Sequence, residues 1–274
     1  METVQRRGFG VAGALDHAII EALAPEAESL GYTSFWLNHT PDGDGLAGLA
    51  RVAARTTTIR LGVGVIPVDR VPPADIARRV RDLGLPPGRL ILGIGSGSSP
   101  GGLARVRESV RQLRETIDPA VAIVVGALGP RMSALGGELG DAVLLNWLAP
   151  EGARVATGWV REGAALAGRP TPFIAAYVRV ALGDAARQRL RTESDRYAAY
   201  PSYAAHFSRL GTTAFATTVP ARTPAEVSSG LDRYAGLFDG LDVRAITGEE
   251  TIGAYRAVLR AAAPGQGEDD HVLG

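Results

Sequence analysis

The chain has 274 residues, 46% of them hydrophobic, enough for a substantial core in one large α/β domain or two smaller ones. Its 29 basic and 29 acidic residues cancel, which argues against a nucleic-acid or polyanion partner. The absence of cysteine and lysine excludes disulfides, thiolate nucleophiles, Fe–S clusters and Schiff-base lysines, and the four histidines, His17, His39, His206 and His271, are too scattered to suggest a metal site.

The N-terminal "METVQRRGFGVAGALDH" superficially resembles a twin-arginine leader, but Asp16–His17 break its apolar run. It reads as a first strand, and the protein as cytoplasmic. No apolar run reaches the roughly 18–20 residues that would span a bilayer.

From there one unit recurs: a short β-rich run, then an amphipathic Ala/Leu/Arg-rich run. "GFGVAG" precedes a helical pattern over 15–30, "TSFWLN" one over 44–56, "IRLGVGVI" one over 72–83 and "RLILGIG" one over 100–117. "VAIVVGAL" precedes 130–140, "AVLLNW" precedes 150–168, "FIAAYVRVAL" precedes 184–199 and "LDVRAIT" precedes 249–263. Continuous apolar runs such as Val121–Val125 and Ala142–Leu145 suit parallel strands covered on both faces. Eight such pairs favour an α/β fold of the (β/α)8 TIM-barrel type over a doubly wound open sheet. Residues 1–264 are expected to form this single barrel domain.

The stretch 200–240 falls out of rhythm, so a helical insertion is expected between strands seven and eight. At least one helix should start at Thr223, with Pro224 at its first position and Glu226 in its first turn. The tail 265–274, "GQGEDDHVLG" from Gly265, reads as polar and disordered, with His271 inside it. His17 and His206 read as helix-face residues.

In such a barrel the chemistry sits at the C-terminal strand ends. Strand two ends at Asn38–His39, the one histidine at a strand end; it is either functional or a structural partner of a loop carbonyl. Gly62 and Gly64 lie inside strand three, where interior glycine marks a bulge, a close ligand approach or tight packing. Strand four ends in "GIGSGSSPGG" (93–102), where Ser99 could cap the next helix ahead of Pro100. That loop is either an anion or ring-edge site or a flexible surface turn, and it lacks the third glycine and the distal acid of a dinucleotide fingerprint. Strand six ends at Asn146–Trp147, an amide and an aromatic that either line the rim or pack inward, and strand seven is expected to end near Arg179.

Strand five runs into "GALGPRMSALGGEL", which puts Arg131 in the first turn of a helix. A cation there opposes the helix dipole, so either the side chain points into water or something anionic binds there. Met132, Leu135 and Leu139 recur at helical spacing and should pack that helix against the barrel.

Together these stretches resemble the luciferase-like flavin and deazaflavin oxidoreductases, over nearly the whole chain. The resemblance rests on "GYTSFWLNH" (31–39), "RTTTIRLGVGVIPVDRVPPADIARRV" (55–80), "GRLILGIGSG" (88–97) and "LDVRAITGEETIGAYRAVLRAAAP" (241–264). Its most specific piece is "VVGALGPRMSALGGELGDAVLLNW" (124–147), similar to the methylenetetrahydromethanopterin-reductase-like branch that uses coenzyme F420. The resemblance implies a non-prolyl cis peptide at Gly64–Val65 behind the deazaflavin ring. It implies Asn38 and His39 near the reactive edge of the ring as catalytic residues. Gly95, Ser96 and Gly97 would contact ring or ribityl chain, and Ala127, Leu128, Gly129 and Arg131 would hold the phosphate. Asn146 joins the cofactor set from the rim of strand six.

Two features depart from the sugar-phosphate dehydrogenase branch: Ser98 stands where that branch has an acid, and no Trp follows His39 in "NHTPDGDG". The implied activity is hydride transfer between the deazaflavin C5 and a small organic substrate. The alternatives are an FMN-dependent two-component monooxygenase and a degenerate cofactor-binding barrel without turnover. Family members are often homodimers, through helices near strands two and three.

Overall fold

Apolar runs with glycine-marked ends form a closed ring of parallel strands in the computed structural model, which describes residues 5–265. In chain order the first half comprises β1 (Arg6–Val11), α1 (His17–Ser29), β2 (Ser34–Leu37), α2 (Gly45–Ala53), β3 (Arg60–Pro67), α3 (Pro73–Asp82), β4 (Leu90–Gly95) and α4 (Gly102–Thr116). The second comprises β5 (Ala122–Ala127), α5 (Pro130–Leu139), β6 (Ala142–Asn146), α6 (Pro150–Leu166), β7 (Phe173–Leu182), α7 (Asp184–Ala198), α8 (Pro201–Arg209), β8 (Val219–Ala221), α9 (Pro224–Asp232), β9 (Gly240–Ile246) and α10 (Ile252–Ala261). The ring runs β1 to β7 in sequence and closes through β9, which pairs in parallel with both β7 and β1. This is the expected (β/α)8 barrel. The expected tail over 265–274, with His271, lies outside the described residues except for Gly265.

The insertion holds more than one helix. Thr223 caps α9 as expected, its hydroxyl accepting from the Glu226 N–H at 3.3 Å. Ahead of it lie α8 and the three-residue β8, which pairs with the outer end of β7 from Val180↔Val219 to Leu182↔Ala221. β7 therefore continues past Arg179 to Leu182, correcting the expected strand end. The reason is that β8 supplies hydrogen-bond partners for the extra residues.

Two apolar layers hold the barrel. The larger lies between strands and helices and includes Phe9, Leu37, Leu61 and Val125. α5 contributes Leu135 to it, with Met132 and Leu139 partly buried against it. The smaller fills the barrel itself with Trp36, Ile91, Val124, Leu144, Ala175 and Tyr177. Large rings fit there because glycines face them: a Cβ on Gly62 would run into the Trp36 ring, and one on Gly10 would lie 2.5 Å from the Tyr177 hydroxyl.

Candidate active site at the C-terminal rim of the barrel

At the end of β2, Asn38 accepts the Gly13 N–H on Oδ1 at 2.7 Å, tying this turn to the loop after β1. His39 is half-buried, with Nδ1 3.8 Å from Asp44 Oδ1 and without a hydrogen-bond partner. Asp44 also caps α2 through the Ala47 N–H and pairs with Arg79 of α3. Burial pushes the imidazole pKa down; Arg79 and Arg70 reinforce this and Asp44 opposes it. The ring is therefore neutral near pH 7.

The bulge expected in β3 is present as a register shift against β4 between Val63 and Ile66, and the Gly64–Val65 peptide is cis. Val65 is half-buried at the mouth. A Cβ on Gly95 would lie 2.7 Å from its Cγ2, and one on Gly126 would lie 2.8 Å from its Cγ1. Side chains at either glycine would displace Val65, so it stands as an apolar step with glycine on β4 and β5 beside it.

The loop after β4 is tied down. Asp69 accepts from the Ser98 N–H at 2.9 Å, the Ser99 N–H at 3.1 Å and the Ser99 hydroxyl at 3.0 Å. Burial pushes the Asp69 carboxyl up, but the Ser99 and Ser98 donors hold it below its ordinary value. Arg105 of α4 donates to the Pro100 carbonyl at 2.8 Å, and Gly97 adopts φ +67 against Asp69. Ser99 is thus not the helix cap it was expected to be. Its hydroxyl is engaged by Asp69, and Gly101, at φ +79, precedes α4 instead. Ser96 and Gly97 remain partly or fully exposed along this loop.

Ala127 ends β5, and Leu128 and Gly129 lead into α5 with Gly129 as N-cap and Pro130 at its first position. Arg131 is exposed and has no ion pair among the described residues. A second guanidinium faces the same turn: Arg209, in the last turn of α8, lies with Nη1 3.5 Å from where a Cβ on Gly129 would sit. The free N–H groups of the helix start thus meet two arginines from separate elements.

Asn146 Oδ1 accepts from Arg179 Nη1 at 2.8 Å, and Arg179 Nε donates to Glu193 Oε1 at 2.7 Å. Trp147 is fully buried at φ +54 and does not offer a flat face at the rim. It packs on Tyr197 and Phe207 with ring centroids 4.8 and 5.9 Å away, beneath the Arg179 guanidinium at 3.5 Å. His206 of α8 is buried, with Nε2 2.9 Å from the Trp147 carbonyl. The insertion thus covers Trp147, which the strand order alone did not foretell.

Around the ring, β2, β3, β4 and β5 are consecutive neighbours. The rim therefore presents, in order, His39, the Val65 step, the Ser96–Gly97 loop and the α5 start. Sequence reasoning missed Asp69, Arg209 and the Arg179–Glu193 pair. No group of His, Asp or Glu able to hold a metal ion occurs among the described residues, and no helix among them is long and apolar enough to cross a membrane.

The luciferase-like monooxygenase family model matches residues 4–119. The 5,10-methylenetetrahydromethanopterin reductase of Archaeoglobus fulgidus is 29% identical over 177 residues, 52% of this chain and 53% of that protein. The chain thus spans about half the length of this curated relative. Among solved structures, an F420-dependent secondary alcohol dehydrogenase in complex with an F420–acetone adduct superposes with a TM-score of 0.73 at 15% identity, covering 94% of this chain and 99% of that one. The oxygenating constituent of 3,6-diketocamphane monooxygenase from Pseudomonas putida, in complex with FMN, gives 0.70 at 14% identity, covering 95% and 98%. At such identities these structures establish the shared fold. The family match spans the first half of the barrel, from β1 through α4, and there the chain is similar to the luciferase-like monooxygenases.

Proposed function

We propose that this protein is an F420-dependent oxidoreductase that transfers a hydride between the deazaflavin C5 and an electrophilic carbon of a small organic substrate. The observation that carries this reading is the rim itself. An apolar step at Val65 lies between a neutral half-buried imidazole on β2 and a helix start with two arginines after β5. A flat ring with a phosphate-bearing chain fits that order of chemistry. The similarity to an F420-dependent glucose-6-phosphate dehydrogenase of Kineococcus radiotolerans, 36% identical over 113 residues, supports F420 as the cofactor.

The bound deazaflavin supplies the hydride-carrying carbon. The chain's own residues bind and orient. Val65 supports the ring, Gly95, Ser96 and Gly97 follow it through the backbone, and Asn146 closes the rim on the far side. Ala127, Leu128 and Gly129 shape the turn into α5, where Arg131 and Arg209 hold the phosphate. His39, neutral, takes a proton from a substrate hydroxyl or, protonated, returns one. Asn38, held by the Gly13 N–H, fixes the turn that carries His39.

FMN carries a phosphate too, and a structural neighbour was solved with it, so the deciding experiment is a side-by-side titration of F420 and FMN. F420 should quench and saturate in the micromolar range, with FMN weaker. No F420 binding at tens of micromolar sinks the proposal. Saturable binding without turnover on enones, imines and alcohols would point to the degenerate barrel instead. A homodimer and a cytoplasmic location are part of the same proposal; light scattering tests the first and fractionation the second.

A further inference from the structure

The opposite, N-terminal mouth of the barrel encloses a cavity of about 220 Å3. In (β/α)8 barrels this face is usually packed and serves stability. Here it is neither filled nor apolar throughout. Its walls are Trp36, Ile91, Val124 and Ala175. At its inner side lies Asp242 of β9, only 4% exposed. Asp242 Oδ1 accepts from the Ser34 hydroxyl at 3.3 Å, while Oδ2 is buried without any partner. Ser34 is already occupied on its other side, accepting from Trp36 Nε1 at 2.9 Å. Gly8 makes room for this arrangement, since a Cβ there would run into Asp242 and Ser34.

At the outer side stand Arg6 of β1 and Arg60 of β3, both lining the cavity. Neither has an acidic partner among the described residues. Arg6 stacks over the Phe173 ring at 5.4 Å from its centroid. Burial, and after it the neighbouring Arg6, push the Arg60 pKa down. The one further acid lining this mouth among the described residues, Asp141, is engaged by Arg114 at 2.7 Å and by the Ile123 N–H at 2.8 Å.

A buried carboxyl oxygen without a partner costs stability, and two guanidinia without an acidic partner among the described residues stand at the mouth above it. One class of ligand meets both. We infer that the N-terminal mouth is a second binding site, for a small hydroxyaryl carboxylate whose carboxylate meets Arg6 and Arg60, whose ring lies against Trp36, Ile91 and Val124, and whose hydroxyl meets Asp242 Oδ2. An inorganic anion would leave the apolar wall unused, and a hydrocarbon would leave the arginines unopposed. Burial pushes the Asp242 carboxyl up to about 7, so near neutral pH both its donor and acceptor forms are populated. This site lies at the opposite end of the barrel from the C-terminal rim and does not depend on the cofactor reading.

The test is a titration of the full chain with 4-hydroxyphenylacetate, followed by calorimetry and by tryptophan fluorescence, to which Trp36 contributes. One-to-one saturable binding is expected, weakened about tenfold or more in the Arg6→Gln/Arg60→Gln double variant. Phenylacetate, lacking the hydroxyl, should bind more weakly, and tyramine, with a cation in place of the carboxylate, should not bind. No saturation up to millimolar ligand overturns the inference. So does unchanged affinity in the double variant, or tyramine binding as tightly as the acid, a measurement that needs no variant to fold.

Discussion

A half-buried imidazole beside a carboxylate it does not touch is an unusual element of a strand end. His39 is 3.8 Å from Asp44, too far for a hydrogen bond, and two arginines lie on the side that disfavours its charge. His39→Asn should therefore cut turnover by about 10²-fold or more, the scale of a general acid–base group, while leaving cofactor affinity unchanged. In the direction that uses His39 as base, kcat should fall only as pH drops below the ordinary histidine value of about 6.5, because burial lowers its pKa. Arg131→Ala and Arg209→Ala should each weaken cofactor binding by about 1–3 kcal/mol, read in the same titration, without loss of fold. Arg131 was legible from its place after strand five. Arg209 was not, because it reaches Gly129 from a helix about 80 residues later and no local pattern marks that approach. Asp69 was missed for a similar reason: its partners are Ser98 and Ser99, across the β3–β4 pair.

Elements were easier to read than contacts. The eight βα units followed from period and punctuation, since buried parallel strands must be apolar on both faces and their helices amphipathic. The same signals fail for β8, whose three residues Val219–Ala221 are too few to show a period. They fail for α8, which buries only His206 and Phe207, one of them polar. Local capping rules also misplaced Ser99, because a distant carboxylate competed for its hydroxyl. One element-level feature bears on the site. α5 and α6 cross closely at Gly137 and Gly163: a Cβ on Gly163 would run into the Ala134 backbone, and one on Gly137 into the Val160 carbonyl. Backbone on both sides leaves no flexible side chain to yield. Gly163→Ala should cost about 1–3 kcal/mol in urea unfolding and loosen cofactor binding by shifting α5. Gly158→Ala, on the same helix but facing open space, should stabilise by up to about 1 kcal/mol and leave binding alone.

At the scale of the whole molecule, the barrel closes around charge as well as apolar rings. His39 and His206 are held neutral by burial, so each contributes stability above about pH 6.5 that is lost as pH falls through its lowered folded value. Glu193 acts in the same sense at lower pH: burial pushes its carboxyl up, but Arg179 and Arg244 hold it below the ordinary value. Asp242 works the other way. Its pKa rises from 3.8 to about 7 on folding, so its contribution is complete in acid and lost as pH climbs between those values. The opposed slopes overlap between the ordinary aspartate and histidine ranges, where the wild-type stability should change little with pH. Asp242→Asn removes the ionisation while keeping the shape, so the variant should gain on the wild type as pH rises from 4 to about 7, and the difference should level off above it. Urea unfolding of both chains across that range measures it. A difference that stays flat would mean that Asp242 is ionised throughout, its charge balanced by the Ser34 hydroxyl and Arg7, which oppose its burial.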